Sequence, residues 1–97
     1  MYIIEPIKSV LTVKKYENVL IKCEYNDGKP KPIVSWLFNG LLLNILNDQK
    51  YSADHNILSI KNVTAEDSGI YSCVLSNGFH KQVNYNYTLN VLGKIKS

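Results

Sequence analysis

The chain contains no arginine; all 11 of its basic residues are lysines. Readers of nucleic acid depend on arginine for two-pronged contacts to phosphate and guanine. With a net charge of only +3, nucleic acid is not an expected partner. No stretch approaches the ~18 apolar residues that cross a bilayer, so membrane attachment is expected only through a tether outside this sequence. Met1 to Pro6 lack a basic head followed by an apolar run and do not read as a signal peptide. The two histidines, His55 and His80, each lack a neighbouring second ligand or nucleophile. There is no phosphate-cradling glycine loop and no metal-ligand cluster, so the expectation is no enzyme, no cofactor and no metal.

Cysteine is scarce too. Two residues, Cys23 and Cys73, are too few for a zinc site and too far apart for a CxxC redox pair. One structural disulfide is the natural reading, and it implies an oxidising compartment. Two buried thiols in a cytosolic domain are the other reading of the same pair.

What is present is a succession of short period-2 runs broken by turn formers, the pattern of an all-β sandwich. The length of 97 residues suits one domain over 1–93, with 94–97 as the stub of a linker. A first strand over Ile3 to Val13 is interrupted at Pro6, which cannot donate to a ladder and suits a strand that changes sheets. Val19, Ile21, Cys23 and Tyr25 face inward on a second strand, and a turn-rich loop covers Asn26 to Pro32. Val34, Trp36 and Phe38 face inward on a third, which ends in the hairpin signal Asn39-Gly40. The run Leu41 to Leu46 is too apolar for a two-faced strand to hide. Leu58 and Ile60 face inward on a strand over Ile57 to Asn62. Thr64-Ala65-Glu66-Asp67 has capping-box spacing. Gly69 to Ser76 puts Tyr71, Cys73 and Leu75 on one face, Asn77-Gly78 reads as a second hairpin turn, and Tyr85, Tyr87, Leu89 and Val91 face inward on the last strand.

Three features converge. Both cysteines lie mid-strand on inward positions, Trp36 points inward 13 residues after Cys23, and Tyr71 stands two residues before Cys73. The run from Leu58 to Cys73 resembles the L-x-I-x-x-V-x-x-x-D-x-G-x-Y-x-C motif of the immunoglobulin superfamily. Gly28 to Gly40 is similar to the G-x-P-x-P-x-x-x-W-x-x-x-G segment of its intermediate (I-set) branch, as found in cell-adhesion molecules and receptor tyrosine kinase ectodomains. The resemblance implies a two-sheet antiparallel Greek-key β-sandwich with the Cys23–Cys73 bond between its sheets. It implies a tyrosine corner at Tyr71 and a core signature of Trp36, Leu58, Asp67, Gly69 and Tyr71. Two departures stand out. Relatives often place glycine before the second strand, where this chain has Lys15-Tyr16-Glu17. Variable-type relatives pair the Asp67 equivalent with an arginine, for which Lys50 is the substitute here.

The fold hosts many functions, so the site must be argued separately. Strand parity puts Ile33, Ser35, Leu37, Ser72, Val74, Ser76, Asn84, Asn86 and Thr88 on the outer face of the sheet that such domains use for recognition. The expected protein-binding residues are Ile33, Leu37, Leu41, Leu43, Val74 and Asn84. Asn62-Val63-Thr64 and Asn86-Tyr87-Thr88 match the N-glycosylation acceptor pattern. Lys8, Lys14, Lys15 and Lys22, with Lys29 and Lys31, resemble the placement of heparin-contacting lysines in fibroblast growth factor receptors, which implies a polyanion such as heparan sulfate. The leading expectation is an extracellular module, on a cell surface or secreted, that recognises a protein, a second copy of itself included. An intracellular structural spacer of a muscle or cytoskeletal protein and a secreted viral-type decoy are the competing readings.

Overall fold

The computed structural model describes residues 2–3, 9–26, 32–43, 50–54, 56–78 and 82–92. The strands in chain order are β1 (Tyr2–Ile3), β2 (Val10–Lys14), β3 (Val19–Lys22), β4 (Tyr25–Asn26), β5 (Ile33–Phe38) and β6 (Leu41–Leu42). They continue with β7 (Tyr51–Asp54), β8 (Ile57–Ile60), β9 (Gly69–Ser76) and β10 (Val83–Leu92), with one 3-10 turn over Ala65–Asp67. A five-stranded sheet in the order β2-β10-β9-β5-β6 packs against a three-stranded sheet in the order β3-β8-β7, and β1 pairs with β4.

Alternation decides what lies between the layers. Val19 and Ile21 from β3, Leu58 and Ile60 from β8, and Leu75, Tyr87, Leu89 and Val91 from the larger sheet form one buried cluster with Cys23, Trp36, Tyr71 and Cys73. These are the inward positions that period-2 reading assigns. The Cys23–Cys73 bond joins the sheets with Cα atoms 6.3 Å apart. Closing a loop of 50 residues contributes about 4 kcal/mol in the chain-entropy account. The Tyr87 hydroxyl adds a second tie, donating to the Lys22 carbonyl at 3.1 Å.

The Asn39-Gly40 hairpin forms as its chemistry requires. Both residues take left-handed φ, 50° and 85°, and Phe38 lies opposite Leu41 across a two-residue turn. The turn between β9 and β10 is longer than Asn77-Gly78 alone, because Leu75 pairs with Val83. The expected first strand is divided between partners, Ile3 pairing with Tyr25 and Val10 with Thr88; Pro6 itself lies outside the described residues. The β2–β10 pair runs parallel, a departure from an all-antiparallel arrangement. A parallel pair needs a long connection, and here the strands between β2 and β10 supply it. The expected linker stub at 94–97, the Leu46 end of the leucine run and both histidines also lie outside the described residues.

Candidate functional site

The lower end of the sandwich is organised by one carboxylate. Asp67 is almost fully buried, and its Oδ2 lies 2.9 Å from Lys50 Nζ. The same oxygen accepts the Thr64 N–H at 2.8 Å, closing the predicted capping box from the acidic side. Lys50 Nζ also donates to the Asn62 carbonyl at 2.9 Å, and the Tyr51 hydroxyl reaches Asp67 Oδ1 at 3.4 Å. The expected Lys50 substitution for an arginine therefore holds, as a single-point contact. Tyr71 donates its hydroxyl to the Asp67 carbonyl at 2.8 Å, the expected tyrosine corner. Burial, and then the hydrogen bond and charge of Tyr51 and the nearby Asp67, push the Tyr71 phenol far above its ordinary pKa. Gly69 follows with φ 154°, where an added Cβ would stand 2.7 Å from Asn39 Oδ1 and from the Phe38 ring. Asn39 Oδ1 uses that space to accept the Ile70 N–H at 2.9 Å. The Lys50, Thr64 and Tyr51 donors meet on the Asp67 carboxylate, and Tyr71 meets its carbonyl, which makes this cluster structural machinery.

The outer face of the five-stranded sheet is different. Register aligns Asn86, Ser72, Leu37 and Leu42 in one row across β10, β9, β5 and β6. A neighbouring row runs Asn84, Val74 and Ser35, and Ile33 stands beside Ser76. From β10 to β6 the described outward side chains carry no charge; among the described strand residues of this face, Lys14 at the end of β2 is the ionised one. Ile33 and Leu42 are each 72% exposed, and Ile70 is exposed beside Thr88. The outer face of the three-stranded sheet carries Leu20 among Lys22, Asp54 and the Lys22–Glu24 pair at 3.6 Å.

Not every expected contact residue stands on the neutral face. Ile33, Leu37 and Asn84 do. Val74 has the right parity but is only 8% exposed, because β9 is the central strand and neighbours flank it on both sides. Leu41 lies opposite Phe38 and so shares the inner side of the sheet; it is 75% exposed because β6 is the edge. Leu43 packs partly against the core. Leu42, absent from the expected set, stands on the neutral face opposite Leu37. The signal was available: a two-residue hairpin fixes Leu37 opposite Leu42, and parity does the rest.

Three of the six lysines singled out in the sequence, Lys14, Lys15 and Lys22, are among the described residues. Lys14 projects from the outer face of the larger sheet and Lys22 from that of the smaller one, beside Glu24. Lys15 Nζ sits 5.0 Å from the Tyr16 ring centroid. Lys8, Lys29 and Lys31 lie outside the described residues. Both acceptor asparagines are exposed. Asn62 occupies a left-handed turn, φ 53°, its N–H held by Asn18 Oδ1 at 2.9 Å. Asn86 lies in mid-strand, its Oδ1 accepting from Ser72 Oγ at 2.7 Å.

A sequence model described as immunoglobulin domain matches residues 2–77. The chain is 34% identical over 84 residues to a striated muscle preferentially expressed protein kinase of Danio rerio, covering 84% of this chain and 3% of that protein. It is 36% identical over 78 residues to contactin-6 of Homo sapiens, covering 79% of this chain and 7% of that protein. Among solved structures, Sidekick-1 immunoglobulin domains 1–4 superpose with a TM-score of 0.82 at 27% identity, covering 95% of this chain and 24% of that one. The chain thus spans less than a tenth of the length of these two relatives and about a quarter of that solved chain.

Proposed function

Since the chain belongs to the immunoglobulin domain family, we propose that it is an extracellular protein-recognition module of an adhesion molecule or receptor, binding through the outer face of its five-stranded sheet. The observation that carries this reading is the neutral row from Asn86 to Leu42, with Ile33 and Leu42 exposed among small polar residues in a chain that is 20% charged. Charge depletion around exposed apolar anchors is what protein interfaces have in common. Similarity to the neuronal cell adhesion molecule of Rattus norvegicus, 36% identical over 70 residues and covering 71% of this chain and 6% of that protein, supports the adhesion class, and the Cys23–Cys73 bond supports an oxidising compartment. A second copy of the chain suits such a face, since a neutral surface meets itself without like-charge repulsion.

A structural spacer is the second reading, favoured by the identity with the muscle kinase. The disulfide weighs against it.

The test is staining of cells from the source organism with a tetramer of the oxidised, unglycosylated domain. Staining should disappear after protease treatment of the cells, and with Leu42→Lys but not Leu20→Lys. Staining that survives protease and is removed by moderate salt would replace a protein partner with a polyanion. Sedimentation equilibrium of the same domain then separates the partners: a dimer abolished by Leu42→Lys identifies a second copy, and a strict monomer identifies a different protein.

A further inference from the structure

The acceptor tripeptide Asn86-Tyr87-Thr88 lies on a strand, so Asn86 and Thr88 share the outer face while Tyr87 enters the core. Asn86 is therefore part of the neutral row, three strand spacings, or about 14 Å, from Leu42. Its amide oxygen is engaged by Ser72 Oγ, which directs Nδ2 away from Ser72. A substituted amide keeps that oxygen and one N–H, so the Ser72 bond survives attachment of a sugar. Asn62 stands elsewhere, in the turn that Asn18 and Lys50 hold at the end of the sandwich.

We propose that Asn86 is a site of N-linked glycosylation whose sugar lies over the neutral face and shuts it, whereas a sugar on Asn62 leaves that face open. The donor class is a lipid-diphosphate-linked oligosaccharide. Asn86 Nδ2 forms a bond to the anomeric carbon as the bond from that carbon to the diphosphate oxygen breaks. The lipid diphosphate leaves, and the amide proton passes to a base of the transferase. An oligosaccharide of several residues spans the distance from Asn86 to Leu42, and its C–H faces pack on apolar side chains. The module then has two states: bare at Asn86, with the sheet face available, and modified, with recognition confined to the loops and edges. That the closed face is the one a partner needs rests on the reading above; the attachment and the cover do not.

The chain is secreted from eukaryotic cells behind a leader as two variants, Asn62→Gln, which leaves only Asn86 to be modified, and Asn86→Gln, which leaves only Asn62. Mass spectrometry reads occupancy, and hydroxyl-radical footprinting reads cover. Oxidation of Ile33 and Leu42 is expected to be several-fold slower in glycosylated Asn62→Gln than in Asn86→Gln, with Leu20 unchanged between them. An unmodified Asn86 in the secreted Asn62→Gln protein overturns the proposal, and so does equal oxidation of Leu42 in the two forms. If Leu42 is protected yet both forms stain cells equally, the sheet face is not the recognition surface, while the attachment site stands.

Discussion

The Asp67 end of the sandwich and the outer face of its five-stranded sheet are built from similar polar residues used in opposite ways. Around Asp67, lysine, tyrosine and threonine converge on one buried carboxylate, and their hydrogen bonds are made within the chain. On the face, asparagines and serines share the surface with exposed Ile33 and Leu42, and the bond among them from Ser72 Oγ to Asn86 Oδ1 lies along the surface and does not enter the core. The first arrangement holds a conformation, and the second is the one proposed to meet a partner. Substitutions should therefore separate stability from binding.

The largest effect is expected from Asp67→Ala, which strips partners from Lys50, Thr64 and Tyr51 at once. Chemical denaturation should show a loss of about 3 kcal/mol, since a buried ion pair is broken and the Thr64 N–H loses its acceptor. A loss below about 1 kcal/mol would dissolve the distinction between the two regions. Gly69→Ala comes next at about 2 kcal/mol, because its Cβ must displace Asn39 or Phe38 from a backbone position unfavourable to alanine.

Alkaline titration offers a third contrast. Burial raises the phenols of Tyr71 and Tyr87 above their ordinary value near 10, while the unfolded chain ionises at that value. The stability these groups contribute is complete below about pH 10 and is lost as pH rises further, by up to about 1.4 kcal/mol per pH unit for each tyrosine. Thermal unfolding followed across that range should show the decline, and Tyr71→Phe should make it shallower. A smaller effect of opposite sign is expected from Tyr16→Gly. Tyr16 is exposed and held at φ 74°, its N–H bonded to the Val63 carbonyl. Glycine relieves the left-handed strain at some cost in chain entropy, a net gain of roughly 0.5 kcal/mol. Smallest of all, Leu42→Ser should change stability by less than about 0.5 kcal/mol while removing cell staining. A large drop in its melting temperature would make Leu42 a packing residue and remove it from the binding face.

Much of this was legible beforehand, for reasons that differ by residue. The pairing of Cys23 with Cys73, the inward set around Trp36 and the tyrosine corner all follow from period-2 alternation and a specific motif, and the structure contains them. Lys50 was identifiable as the partner of Asp67 because variable-type relatives place an arginine there and this chain, having none, offers Lys50 as the substitute. The face was legible in direction but not in membership. Val74 and Leu41 have burial set by strand order: one lies on the central strand and the other on the edge. Lys14 and Lys22 are eight positions apart in sequence, and their assignment to different sheets follows from strand pairing alone.

The amino-acid sequence by itself determined the sandwich, its disulfide, its buried aromatic centre and its turn positions. Those depend on alternation and on residues whose backbone or chemistry admits few alternatives, such as the left-handed Asn39-Gly40 pair. Only the tertiary structure decided which outward side chains stand together, that Asn86 lies in the same row as Leu42, and that the neutral and charged faces are kept apart. The physical reason is that neighbours on a sheet come from strands distant in sequence. Which strand lies beside which is settled by packing of the two layers, and no local pattern records it.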